Sequence, residues 1–102
     1  MIIKRLKEAR LRSGLSQEKL GVLAGIDEAS ASARMNQYER GRHTPDFEMV
    51  CKLAKILNVP ENYFYTIDDV MAEMVLNFNK LDIDAKTTTI KFMNDLWKGE
   101  PY

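Results

Sequence analysis

The segment Ser16–Pro45, SQEKLGVLAGIDEASASARMNQYERGRHTP, constrains the fold more than any other part of the chain. It reads as a short helix, a glycine turn, a longer helix and a glycine-terminated basic loop. Ser16 is placed to cap a helix over Gln17–Ala24, its hydroxyl accepting from an orphan amide of the first turn. Leu15 and Leu20 have the spacing of a hydrophobic staple, and Leu23 and Ala24 continue the apolar face. Gly25 ends this helix, and Ile26 follows as a buried plug. Asp27 then Glu28 is a second start, a cap followed by an acid in the first turn. Gly41 stops that helix after Arg40. On a helix, Ala31, Met35 and Tyr38 share one face, the core side. Two helices of this size cannot bury both apolar faces alone, so the flanking segments must supply the rest of the core.

The flanks have that capacity. Residues 2–13 predict a first helix with Ile3, Leu6 and Leu11 apolar and Lys4, Arg5, Lys7, Glu8 and Arg12 on the solvent side. Thr44-Pro45-Asp46 predicts a fourth helix, with threonine as cap and proline at its first position. Phe47, Val50, Leu53, Ala54 and Leu57 repeat there at helical spacing, and Asn58 suits a left-handed stop. After Pro60, Tyr63, Phe64 and Tyr65 are expected to close the core as a lid. Thr66-Ile67-Asp68-Asp69 resembles a capping box with aspartate in place of glutamate. Beyond it Ile67, Met71, Met74, Phe78 and Leu81 alternate spacings of four and three, with Val70 and Val75 widening the stripe. This seam suits two roles, covering the same subunit's core or packing against a second subunit. Asp82–Asp84 breaks it, and a last helix is expected over Ala85–Lys98 with Ile90, Met93, Leu96 and Trp97. Thr87, Thr88 and Thr89 weaken its first turn.

Apolar residues recur at helical spacing throughout, with no strict alternation that would predict strands. The expected architecture is all-α. A five-helix unit spans residues 1–66, and a C-terminal helical extension over residues 67–102 follows as the best candidate for a dimer contact. Within that extension Ile67, Met71, Met74, Phe78, Leu81 and Trp97 are the candidate interface residues.

The formal net charge is zero, which hides an asymmetry. Residues 1–45 hold nine Lys/Arg against five acids, a balance of +4, and residues 46–102 hold six against ten, a balance of −4. Such a chain can turn a basic face to a polyanion. No run of apolar residues is long enough to span a membrane. The charged N-terminal pattern lacks the apolar core and cleavage site of a signal peptide. A soluble, cytoplasmic protein without membrane contact is the expectation. Cys51 is the only cysteine and His43 the only histidine, too few for a cysteine/histidine zinc cage. Cys51 reads as a reduced packing thiol. No metal and no cofactor are expected.

The sequence also argues against an enzyme. No nucleophile has a base beside it, and no glycine-rich loop follows a strand. Asp68 and Asp69 are adjacent, so on a helix their carboxylates diverge. The outer face of the longer helix is more informative, with Ser32, Ala33, Arg34, Asn36 and Gln37 on or beside it. A duplex major groove is about 12 Å wide and admits one α-helix, in which glutamine pairs with adenine and arginine with guanine. Short side chains let such a helix sit deep. Phosphates are held by helix N-termini and basic loops. Gln17 and Lys19 start the shorter helix, and Arg40, Arg42, His43 and Thr44 form the loop. The rival reading is a protein-interaction module, an antitoxin or scaffold that uses the same face on another protein.

Residues 3–60 resemble the Cro/phage-repressor-type helix-turn-helix family, often called XRE, through LKEARLRSGLSQEKLGVLAGI, MNQYERG and TPDFEMVCKLAKILNVP. The resemblance implies a five-helix, phage-repressor-like DNA-binding domain from a bacterium or phage. It implies a homodimer on operator-like double-stranded DNA, regulating transcription as a nucleoid-associated repressor. By position, Gln17 matches the family's phosphate contact, and Ala33, Asn36 and Gln37 fall at groove-facing positions. Arg10 and Glu39 match a structural ion pair. One departure stands out. Gly25 and Glu39 lie fourteen positions apart against about ten in the family pattern, and four extra residues are close to one helical turn. Either the longer helix starts a turn early, at Asp27, or the connecting loop is longer. Asp27 and Glu28 would repel phosphates, so the extra turn belongs at the groove's edge.

Overall fold

The computed structural model describes residues 1–97. Among these residues the architecture is all-helical, without a strand. Helices α1 (Ile3–Arg12), α2 (Gln17–Leu23), α3 (Glu28–Glu39) and α4 (Phe47–Leu57) are followed by a 3-10 turn at Glu61–Tyr65, then by α5 (Asp69–Asn79) and α6 (Ile83–Trp97). The first three helices fall within a residue or two of their expected bounds. Ser16 caps α2 as its sequence position suggests, its Oγ accepting from the Lys19 amide at 3.0 Å.

Two later starts differ from expectation for one reason. Where two oxygen-bearing side chains compete to cap, the one nearer the helix takes the amide. Asp46, not Thr44, caps α4, with Oδ1 accepting from Met49 N–H at 2.8 Å. Pro45 therefore precedes the cap and is buried. Asp68, not Thr66, caps α5, accepting from Met71 N–H at 2.7 Å, while the Thr66 hydroxyl donates back to the Asn62 carbonyl. Asp82 caps α6, accepting from Ala85 N–H at 2.8 Å. The expected break in the apolar seam at Asp82–Asp84 is thus a helix start, and α6 begins at Ile83. In its first turns Thr87 and Thr89 bond back to the carbonyls of Ile83 and Ala85. The expected end at Lys98 lies outside the described residues.

The core gathers Leu6, Ala9, Leu20, Ala24, Ile26, Ala31, Met35, Tyr38, Val50, Leu53, Ala54, Leu57, Tyr63 and Phe64. Tyr63 and Phe64 form the expected lid, with ring centroids 5.7 Å apart and edge-on, a favoured aromatic geometry. Tyr65, third of that aromatic run, is exposed instead. Ile3, Leu11, Leu23 and Phe47 also stay largely exposed, at the margins of their apolar stripes. Arg5 corrects the sequence reading the other way. Assigned to the solvent side, it is 2% exposed.

Helix α5 touches this core through Ala72, with Val75 and Leu76 packed beside it. Its other stripe, from Ile67 through Met71 and Met74 to Leu81, faces outward. Helix α6 contributes no buried residue, and Ile83, Ile90, Phe92, Met93, Leu96 and Trp97 along it are all exposed. The radius of gyration is 16.1 Å and the long axis 53 Å, where a compact domain of this length has a radius near 13 Å. The C-terminal helix thus extends away from the core it was partly expected to cover. Among the described residues no helix is long and apolar enough to cross a membrane.

Candidate nucleic-acid interface

Two helices set the geometry of the site. Helices α2 and α3 meet across Gly21 and Ala31, both buried. A Cβ on Gly21 would lie 2.7 Å from the Ala31 Cβ and 3.0 Å from its Cα and carbonyl oxygen. Glycine inside a helix costs about 0.5–1 kcal/mol relative to alanine, but here it lets the two backbones touch. Sequence periodicity passes over Gly21, because a hydropathy pattern does not carry an interhelical distance. Gly21→Ala should therefore destabilise, overpacking of about 1–3 kcal/mol outweighing the gain in propensity. A thermal melt checks this, and an unchanged or raised Tm contradicts it.

The turn between the helices is short, so the fourteen-residue spacing is absorbed by α3 itself. The helix starts at Glu28, and its first turn holds Ala29 and Ser30, both exposed. Ala31, Met35 and Tyr38 face inward, at 0%, 0% and 7% exposure. Ser32, Ala33 and Arg34 are exposed on the outer side, and Asn36 and Gln37 are half-buried at its edge.

One buried carboxylate locks this face to the domain. Glu39, 7% exposed, accepts from Arg10 twice, Nε to Oε2 at 2.6 Å and Nη2 to Oε1 at 3.1 Å. Arg10 Nη1 also donates to the Leu15 carbonyl at 2.9 Å. Gln17 Nε2 donates to Glu39 Oε1 at 3.2 Å and to Asn36 Oδ1 at 3.3 Å. A single acid therefore ties α1, the start of α2 and the end of α3 together. Both amide hydrogens of Gln17 are engaged internally. An anion at this end of α2 would thus meet backbone amides of its first turn, where the helix dipole favours negative charge. Because Gln17 donates to the Asn36 oxygen, the donors of Asn36 stay available for an acceptor outside the protein.

The basic loop is pinned to the same helix. The Gln37 carbonyl accepts from the amides of Arg42 at 2.9 Å and His43 at 3.4 Å. Gly41, at φ +73°, packs where a Cβ would lie 2.6 Å from Ile3 Cδ1. Arg34, Gln37, Tyr38, His43 and Thr44 line one shallow depression, so candidate base-reading and phosphate-holding side chains share a surface. Lys19 lies on the other flank, where Ser16, Glu18, Val22 and Glu28 form a second shallow concavity. Arg40, Arg42, His43 and Thr44 are all exposed.

A capped short helix, crossed closely by a longer helix with a low polar outer face and followed by a basic loop, defines a helix-turn-helix DNA-binding protein. The chain belongs to the helix-turn-helix family of XRE type, whose sequence pattern matches residues 6–64. It is 30% identical to the HTH-type transcriptional regulator ImmR of Bacillus subtilis (strain 168), over 90% of this chain and 74% of that protein. Its structure resembles the crystal structure of transcriptional regulator BswR with a TM-score of 0.89, at 46% identity over 93% of this chain and 94% of that one. The protein is a DNA-binding transcriptional regulator.

Proposed function

We propose that the protein is a repressor that binds a palindromic operator as a homodimer, acting on the nucleoid in the cytoplasm. Residues 1–66 form the DNA-reading unit and residues 67–102 the dimer contact. Ser32, Ala33, Arg34, Asn36 and Gln37 meet base edges, and Lys19, Arg40, Arg42, His43 and Thr44, with the backbone amide of Gln17 rather than its side chain, hold phosphates on either side. The observation that carries this reading is the outer face of α3, small and polar, with the loop amides of Arg42 and His43 bonded to the carbonyl of Gln37. The dimer contact is supported by the exposed Met71 and Met74 of α5, with the exposed Ile67 and Leu81 flanking the helix, the half-buried Phe78 between them and the exposed Trp97 on α6. Two such subunits present recognition helices to half-sites about 34 Å apart, one turn of the duplex.

Selection of bound sequences from a random duplex pool by the full chain tests the reading. A motif with two-fold symmetry and half-sites about 10 bp apart is expected, with affinity falling steeply as salt rises because phosphate contacts release counterions. No enrichment over random sequence, together with a stable protein partner on co-purification, would favour the protein-interaction reading instead.

A further inference from the structure

The N-terminal half of α1 is stitched to residues 63–69, the segment that leads into α5. The Ile2 amide donates to the Phe64 carbonyl at 2.6 Å. Lys4 Nζ lies 2.7 Å from Asp69 Oδ1. Tyr63 Oη donates to Glu8 Oε2 at 3.0 Å. At the centre is the buried Arg5. Its Nε donates to the Thr66 carbonyl and its Nη2 to the Ile67 carbonyl, both at 2.9 Å. Nη2 also lies 3.0 Å from Asp69 Oδ1, and Nη1 lies 3.3 Å from Glu8 Oε2.

Burying a guanidinium gives little net stability over a well-packed apolar side chain. What it supplies is direction, because its planar fork presents donors in fixed geometry. Here the fork holds two consecutive carbonyls immediately before Asp68, the cap of α5. The Arg10–Glu39 pair locks α1 to α3. A continuous set of contacts therefore runs from the groove-facing helix through α1 and Arg5 to the helix that carries Met71 and Met74.

We propose that Arg5 is a positioning residue that fixes the angle between the DNA-reading face and the subunit contact, and so sets the half-site spacing the dimer accepts. This rests on the dimer reading above. The test uses the full chain and the duplex recovered by selection, rebuilt with one or two base pairs added or removed between half-sites. Wild type should lose about tenfold or more in affinity per change, because the duplex must twist to meet a rigid pair. Arg5→Met should lose less than about threefold across the same series, while remaining dimeric by light scattering and keeping its affinity for a single half-site. A purely stabilising role for Arg5 would lower Tm without flattening this profile. A second variant, with Gly-Ser inserted between Ile67 and Asp68 and Arg5 intact, should flatten it too, and it decides the matter if Arg5→Met does not fold. A folded variant of either kind that keeps the wild-type spacing profile overturns the proposal. A monomeric wild type, or one indifferent to spacing, overturns the dimer reading itself, and that is seen before any variant is made.

Discussion

Arg10→Met is expected to lower the stability of the protein by about 3–5 kcal/mol, the cost of leaving a buried charge without its partner. The Arg10 and Glu39 side chains are 11% and 3% exposed, so water cannot take over the lost bonds. For a chain of this size the loss corresponds to a fall in Tm of roughly 12–40 °C, at about 4–8 °C per kcal/mol. Methionine keeps much of the arginine stem's volume, so the effect reports the charge rather than a cavity. Adding Glu39→Leu should restore a large part of the stability, because exchanging a whole buried pair for apolar side chains is often near neutral. Recovery will be incomplete, since Gln17 loses an acceptor and the Leu15 carbonyl a donor. Circular-dichroism melts of the two singles and the double give the coupling energy. A single mutant within about 1 kcal/mol of wild type would remove Glu39 as the tie between the three helices.

The second large effect concerns assembly. Met71→Glu combined with Met74→Glu places two charges on the outward stripe of α5, at residues 49% and 38% exposed. Exposed positions tolerate such changes within about 0.5 kcal/mol in an isolated subunit, so the Tm of the monomer fold should barely move. Across a subunit contact the same charges would be desolvated and mutually repulsive. Light scattering should then report the mass of a single chain. Affinity for a two-half-site duplex should fall by about 10²-fold or more, because the second half-site loses the effective concentration that the first binding event provides. Retention of a dimer by this variant would move the contact elsewhere, the apolar residues of α6 being the next candidates.

Much of this was legible in the sequence because it depends on local rules. The Ser16 cap, the inward set Ala31, Met35 and Tyr38, and the lid of Tyr63 and Phe64 follow from spacing and hydrogen-bond chemistry within a few residues. Arg5 was not legible, because periodicity reads any arginine as solvated, and the carbonyls that receive it come from sixty residues further on. Gly21 was hidden for a similar reason, since its neighbour Ala31 belongs to another helix. At Thr44 and Thr66 the cap shifts because an aspartate two residues later offers the nearer acceptor. The fourteen-residue interval from Gly25 to Glu39 left two arrangements open, and the early start of α3 at Glu28 settles which is adopted. The stripe of α5 could not name its own partner. The structure shows that Ala72, Val75 and Leu76 serve the subunit's core and that the methionine side does not.

The central claim is that the outer face of α3 reads bases while the adjoining loop holds phosphate. Competition binding on the selected duplex and its single-base variants, for wild type, Gln37→Ala and Arg42→Ala, tests it most directly. Gln37→Ala should lose discrimination at one base position per half-site, by about 1–3 kcal/mol, and keep its salt dependence. Arg42→Ala should weaken all sequences alike and reduce the salt slope by about one. If both variants bind the selected duplex and its single-base variants as wild type does, α3 is not the reading helix.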